Sequence, residues 1–406
     1  MAAQQFQPKS IQFKGDPEYS DAELLAASGL KKGEVLTAAD MNAHSKILMD
    51  TGIFENLTFT FNGQDLVFQI VPAKALYPIR YENLPLVEGK ELDAKLHAQL
   101  PLYHGKVPMD GTLLEDVRKA LEQELAAKGI QATLVSVPYS EHVSEPASAM
   151  SILMSNPPIA IGQIHLDGAS ADLAAKANTI LQKNVGKPYN AYSSASELEV
   201  NLVNFYTELG YLQVAAQATV QLTPVVDAGG VHLPYAVTVT EGPVFKLAHV
   251  QLAPGMLVTQ ADFDKQSRLH SGEVVSPAKL REEWKFLARQ YHNKGYAKAQ
   301  ILPTQTLDAA SGTVSYTVAA EPGPIYTMGK LTVENVSEDL RAAILKAWPV
   351  AAGTPFNEGA ILGMVATHDV NPALERVFAT VDLRYTLHLN EDVRTVDVNL
   401  RLERKH

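Results

Sequence analysis

The sequence predicts an α+β protein built from five tandem β-α-α-β-β modules in an extended array. Three observations support this prediction. A glycine that follows a short helical segment and precedes a longer helix recurs five times. Within each repeat the apolar spacing alternates between strand and helix periods in the same order, which is the main sequence signal for secondary structure. Prolines cluster where one repeat meets the next, and proline ends a strand ladder.

The glycines set the length of the repeat. The first glycine of each repeat stands between the two predicted helices, at Gly33, Gly105, Gly186, Gly272 and Gly353. A second glycine stands where the longer helix should end, at Gly52, Gly129, Gly210 and Gly295, and glycine is the usual residue there. The fifth repeat lacks this glycine, and Pro372 is expected to end or kink its helix early. The predicted modules are 8–76, 77–157, 158–243, 244–323 and 324–406.

Local signals place the element boundaries. Ser20 followed by Glu23 three residues later predicts a capping box at the start of the first helix. Ser276 before Pro277 predicts a helix start in the fourth module. Asn62-Gly63 between two apolar segments predicts a tight hairpin. Each module should therefore contain a strand, two helices and a hairpin.

Composition argues against several functional classes. The chain has 34 Lys and Arg against 45 Asp and Glu, a net charge of −11, and 7% aromatic residues. Nucleic-acid binders gain affinity mainly from basic residues, so we expect no nucleic-acid partner. There is no cysteine, which excludes disulfides, thiol nucleophiles and cysteine-ligated zinc. No apolar run approaches the ~18 residues that a membrane-spanning helix needs.

The common catalytic and ligand motifs are missing as well. The twelve histidines include no pair four residues apart and no HExxH. There is also no GxSxG, no GxxxxGK[ST] and no GxGxxG. We therefore expect no catalytic residues, no metal site, no cofactor and no enzymatic activity.

The modules resemble a known family. The β-α-α-β-β order, the Gly-Glu or Gly-Lys step between helices, and the stretch from SIQFKGDPEYSDAELLAASGLKKGEVLT to MDTGIFENLTFTFNGQDLVFQIVP resemble POTRA repeats. Five in tandem are similar to the periplasmic region of the BamA-like outer-membrane β-barrel assembly factors. The resemblance implies a scaffold or chaperone in the periplasm, at the inner face of the outer membrane. It also implies unfolded outer-membrane proteins, partner lipoproteins or other periplasmic proteins as partners.

Several alternatives stay open. The family places a membrane β-barrel after the array, but the chain ends at LRLERKH without the alternating segments of a barrel. Either a barrel follows residue 406 in the natural protein, or this is a stand-alone POTRA protein acting in secretion or envelope organisation. A different class is a repeat-built enzyme accessory with an inter-domain cleft, which requires converging polar groups.

One strand is the candidate binding site. An exposed sheet edge binds an extended peptide through main-chain hydrogen bonds, and natural edges are usually protected by proline or charge. The second strand of the third module, predicted over Leu212–Leu222, has neither. The corresponding strands carry Lys298 and Pro303 in the fourth module, and Asp382 and Arg384 in the fifth. The candidate residues are Leu212, Gln213, Val214, Ala215, Gln217, Thr219 and Gln221.

The competing interpretation is an ordinary amphipathic strand covered by its neighbour or by the loop at VVDAGG. The binding hypothesis predicts that a proline at Gln217 or Thr219, whichever N–H faces outward, abolishes peptide crosslinking.

Overall fold

The structure is a computed structural model and describes residues 5–16, 18–86, 90–367 and 381–404. The chain divides into two units, Met1–Val203 with Ala215–Thr240, and Asn204–Val214 with Glu241–His406. The predicted end of the last helix, including Pro372, lies outside the described residues. Within the described ranges no helix has the length and apolar character needed to cross a membrane.

Within the residues that the structure describes, the first two modules contain nine strands and four helices. The first consists of β1 Gln5–Phe6, β2 Ser10–Lys14, α1 Asp21–Ser28, β3 Leu36–Thr37, α2 Ala38–Asp50, β4 Phe54–Phe61 and β5 Asp65–Pro72. The second consists of β6 Tyr77–Glu82, α3 Lys90–Gln99, β7 Lys106–Val107, α4 Thr112–Ala127, β8 Thr133–Tyr139 and β9 Ala149–Asn156. The short strands β1, β3 and β7 are additions to the basic repeat.

The other three modules follow the same plan. The third consists of β10 Ile159–Asp167, α5 Ala171–Gln182, α6 Ser194–Glu208, β11 Ala215–Val220, β12 Val225–Asp227 and β13 Gly230–Thr240. The fourth consists of β14 Lys246–Leu252, α7 Gln260–Gln266, α8 Pro277–His292, β15 Gln300–Asp308 and β16 Thr313–Glu321. The fifth consists of β17 Thr327–Glu334, α9 Glu338–Ala347, α10 Glu358–Thr367, β18 Val381–Asn390 and β19 Thr395–Arg404.

All five modules share one sheet topology. The third main strand lies in the middle, parallel to the first strand and antiparallel to the second. The orders are β2-β5-β4, β6-β9-β8, β10-β13-β11, β14-β16-β15 and β17-β19-β18. The predicted α+β class and the repeated β-α-α-β-β order are confirmed. The boundaries of the modules and their extended arrangement stay predictions.

The local signals have the predicted effect. Ser20 caps α1, and Glu23 completes the capping box. Ser276 caps α8, with Pro277 in its first turn. Leu287 and Tyr291 of α8 are buried in the fourth module, because residues spaced three and four apart lie on one helix face.

In the last three modules the glycine between the helices pairs with one edge of the sheet. In the third module the Gly186 N–H donates to the Ile161 carbonyl at 2.8 Å, and the Ile161 N–H donates to Lys187 at 2.9 Å. Gly272 and Gly353 donate in the same way to the first strands of their modules, at 2.8 Å each. In these three modules the loop thus covers the first strand, and in all five sheets the second strand forms the opposite edge.

Candidate binding edge of the third module

The candidate strand is an edge strand in the structure. β11 pairs with β13 from Ala215↔Thr240 to Val220↔Tyr235, and β13 has β10 on its other side. The short strand β12 pairs with β13 further along, from Val225↔His232 to Asp227↔Gly230. It therefore extends the edge that β11 begins without covering β11.

The seven candidate residues occupy three different environments. Ala215, Gln217 and Thr219 lie on β11 with exposed side chains, and Gln221 follows directly. The other three candidates, Leu212, Gln213 and Val214, precede the strand.

The strand begins at Ala215 because the segment before it is folded into a turn. The Leu212 N–H donates to Gly210 at 3.1 Å and the Val214 N–H donates to Tyr211 at 3.4 Å. Leu212 also packs against the hydrophobic core of the fourth module. These contacts hold the residues before Ala215 in a conformation that does not continue the ladder, so the edge is shorter than predicted.

Two hydrogen bonds, one made by Ala218 within β11 and one by Gln221 just after it, determine which N–H groups face outward. The Gln221 N–H donates to the Pro234 carbonyl at 2.8 Å, so it points towards β13. The Ala218 N–H donates to a side chain on α6, so it points away. Because successive N–H groups alternate in direction, those of Gln217 and Thr219 face β13. Ala216, Ala218 and Val220 present their N–H and C=O groups at the open edge.

Glu199 contacts this candidate edge, and the sequence analysis did not identify it. Its Oε1 accepts the Ala218 N–H at 2.8 Å from the adjacent helix α6. The second module has the same arrangement, with Glu122 Oε1 of α4 accepting the Leu134 N–H of β8 at 2.9 Å. Glutamate is common on exposed helix faces, so the sequence carries no signal that marks either contact.

The observed strand bounds allow a direct comparison of the second main strand of each module. Each of the other four contains a proline or a charged residue: Glu55 in β4, Pro138 in β8, Pro303 and Asp308 in β15, and Asp382 and Arg384 in β18. The side chain of Asp382 lies outside the described residues. β11 has the sequence AAQATV. It is the one second strand among the five that has neither proline nor a charged residue within its bounds, the two features that most often protect an edge strand from pairing.

Several shifted pKa values have ordinary structural causes. The Thr37 backbone N–H, which donates to Asp40 in a helix cap, lowers the pKa of that carboxyl. The Gly229 N–H lowers the pKa of Asp227 in a turn. Burial raises the pKa of Tyr235 to about 12. Caps, turns and burial account for these shifts, so they support no catalytic assignment.

The first module matches a known family. Residues 8–73 match the model of the POTRA family, described as a surface antigen variable number repeat. Among solved structures, the third to fifth POTRA domains of Haemophilus influenzae BamA are 13% identical, with 61% of this chain and 97% of that chain covered and a TM-score of 0.46. The N-terminal domain of Omp85 from Thermosynechococcus elongatus is 16% identical, with coverages of 62% and 100% and a TM-score of 0.25. The first three POTRA domains of Omp85 from Anabaena are 17% identical, with coverages of 61% and 96% and a TM-score of 0.26.

Because these TM-scores are below 0.5, the structural likenesses support no assignment by themselves. The family match covers residues 8–73, which lie in the first of the five predicted modules. The first module therefore matches the POTRA family, and the other four modules have the same sheet topology as the first.

Proposed function

We propose that this chain is a periplasmic scaffold of an outer-membrane protein assembly or secretion factor, located at the inner face of the outer membrane. Unfolded client polypeptides bind to it by adding a strand to the edge of β11. The observation that carries the proposal is this edge, which contains neither proline nor charge. The POTRA match of the first module supports the periplasmic setting. Partner lipoproteins or other periplasmic proteins are further candidates for the open edges.

The side chains around this edge favour a client with alternating polarity. Ala216, Ala218 and Val220 are partly buried on one face of β11, while Gln217 and Thr219 are exposed on the other. A strand added here would place its own side chains alternately beside these two rows. Strands of outer-membrane barrels alternate apolar and polar residues in segments of about ten residues. Such a segment matches both faces, and the small alanines leave room for its larger apolar side chains.

The test blocks the outward N–H groups with proline. Ala216→Pro and Val220→Pro each remove a donor from the open edge and leave the β13 ladder intact, because edge strands tolerate proline at outward positions. Neither Gln217 nor Thr219 serves this purpose, since their N–H groups face β13. We expect each variant to lose binding of a ten-residue alternating peptide, measured by fluorescence anisotropy. Circular dichroism should stay unchanged.

The matched control is Ser136→Pro in the second module. Ser136 lies two residues after Leu134 on β8, so its N–H also faces outward. This variant should bind the peptide as the unmodified chain does. Undiminished binding by both Ala216→Pro and Val220→Pro would refute strand addition at β11.

Glu199 provides a second, opposite test. An incoming strand must displace its carboxylate from the Ala218 N–H, and a hydrogen bond to a charged group is worth about 1.5 kcal/mol or more. Glu199→Ala removes this competitor, so the peptide should bind about tenfold more tightly. Glu122→Ala changes the equivalent contact in the second module and should leave the affinity unchanged. A weaker affinity in Glu199→Ala would contradict the proposed binding geometry.

A further inference from the structure

Three side chains of the types that bind metal ions, from two modules, meet inside the first unit. Glu23 lies in α1 of the first module, His97 lies near the end of α3, and His104 lies in the loop that follows α3. Glu23 Oε1 is 3.0 Å from His104 Nε2 and 3.8 Å from His97 Nε2. One ligand atom from each of the three residues lies within 4.8 Å of the other two. In the described part of the chain this is the one such group of three histidine or acidic residues.

The surroundings orient two of these side chains for binding. Glu23 Oε2 accepts hydrogen bonds from the Ser20 backbone N–H and hydroxyl at 2.7 Å each, which turns Oε1 towards the histidines. His97 Nδ1 donates to the Tyr103 carbonyl at 3.0 Å. This bond places the proton on Nδ1 and leaves the lone pair of Nε2 for a ligand. Histidines bound to metals in proteins usually have such a partner on the other ring nitrogen.

Packing holds the third ligand and leaves the cluster reachable from solvent. The His104 ring lies 4.8 Å from the buried Tyr19 ring and 5.1 Å from the His97 ring. The side chains of Glu23 and His104 are 22% and 23% exposed, and that of His97 is 47% exposed. They line an open cavity together with Asp93 and Tyr103. An ion can therefore enter without unfolding either module.

We propose that Glu23, His97 and His104 form a zinc site that joins the first two modules. Two imidazoles and one carboxylate are ligands that Zn²⁺ accepts readily, with a water molecule in the fourth position. With bonds of about 2.0–2.2 Å, tetrahedral ligand atoms lie about 3.3–3.6 Å apart. Small side-chain movements bring the observed separations into this range. The bound ion would connect residues up to 81 positions apart in sequence.

The site would act as a removable link between modules. Anything that binds the folded chain alone stabilises it in proportion to the logarithm of its free concentration. Zinc should therefore raise the melting temperature of the first two modules, and a chelator should reverse the rise. This effect is independent of the proposed binding edge in the third module.

The experiment is a titration of the full chain with Zn²⁺ by isothermal calorimetry. We expect one ion per chain, and at least a tenfold weaker affinity in both Glu23→Gln and His104→Gln. Glutamine still supports a capping box, so Glu23→Gln should keep the fold of α1. His142→Gln, at an exposed loop position, is the control and should bind as the unmodified chain does.

A second measurement identifies the ligands without relying on stability. Co²⁺ in a tetrahedral site with nitrogen and oxygen ligands gives a visible spectrum that reports its geometry. The spectrum should appear with the unmodified chain and with His142→Gln, and disappear with His104→Gln. Absence of binding to the unmodified chain, or equal binding by the unmodified chain and both ligand variants, would overturn the proposal.

Discussion

A pair of glycine substitutions measures how tightly the first two modules pack together. Gly52 and Gly129 both follow the second helix of their module and have φ values of +81° and +82°. A Cβ atom on Gly52 would overlap the Asp110 carbonyl oxygen and lie 2.9 Å from Pro108 Cγ, both in the second module. A Cβ atom on Gly129 would meet nothing within 4 Å. Alanine at the two positions therefore creates the same backbone strain but different contacts.

The expected loss in the free energy of unfolding differs between the two variants because of these contacts. A residue with a Cβ atom in the left-handed region lowers the free energy of unfolding by about 1–2 kcal/mol. Alanine also makes the unfolded chain less flexible than glycine does, which offsets about 0.4–1 kcal/mol of this loss. Gly129→Ala should thus lower the free energy of unfolding by about 1 kcal/mol. Gly52→Ala adds a steric term of about 1–3 kcal/mol, typical of overpacking. Its total loss should be about 2–4 kcal/mol.

Hydrogen exchange measured by mass spectrometry is the suitable assay, because it assigns stability to individual segments. Core peptides of the first two modules should exchange faster in Gly52→Ala than in Gly129→Ala. The two tryptophans, Trp284 and Trp348, both lie in the second unit. Their fluorescence during urea unfolding should stay unchanged in both variants and serves as the control. Equal losses in the two variants would refute the close contact at Gly52.

Three further predictions concern buried or partly buried side chains. His292 Nδ1 lies 2.9 Å from Glu358 Oε2; the hydrogen bond raises the His292 pKa above 6.5 and lowers the Glu358 pKa below 4.5. Urea unfolding followed by tryptophan fluorescence should therefore show that the free energy of unfolding decreases as the pH rises through the folded-state pKa of His292. It should also decrease as the pH falls through the folded-state pKa of Glu358. His292→Gln should remove the decrease at high pH. Leu287→Ala removes a fully buried side chain and should cost about 3–5 kcal/mol in the same assay. Tyr103→Phe removes the hydroxyl that donates to Asp93 at 3.0 Å, and hydrogen exchange should show a loss of about 1–2 kcal/mol around that tyrosine.

The architecture of each module could be predicted because its signals are local. The Ser20–Glu23 capping box and the Asn62-Gly63 hairpin act between residues a few positions apart, and both form as predicted. In the third, fourth and fifth modules the N–H of the glycine between the helices pairs with the first strand, as Gly186 does with Ile161. Spacing and composition are enough to detect such features.

The candidate edge could be predicted only in part. Uncharged alternation indicated the segment that contains β11, and its role as a binding edge stays a prediction. The direction of each N–H depends on pairing with β13, and a shift of one residue reverses it. The start of the strand at Ala215 depends on Leu212, which packs against the next module.

The amino-acid sequence by itself determined the repeat, its α+β order and the strand without proline or charge. Tertiary structure alone decided which N–H groups face outward, that Glu199 caps one of them, and that Glu23 meets His97 and His104. The physical reason is the distance along the sequence over which each signal acts. Hydrophobic period, caps and turns are properties of neighbouring residues, whereas hydrogen-bond direction and ligand clusters arise when distant segments are brought together by packing.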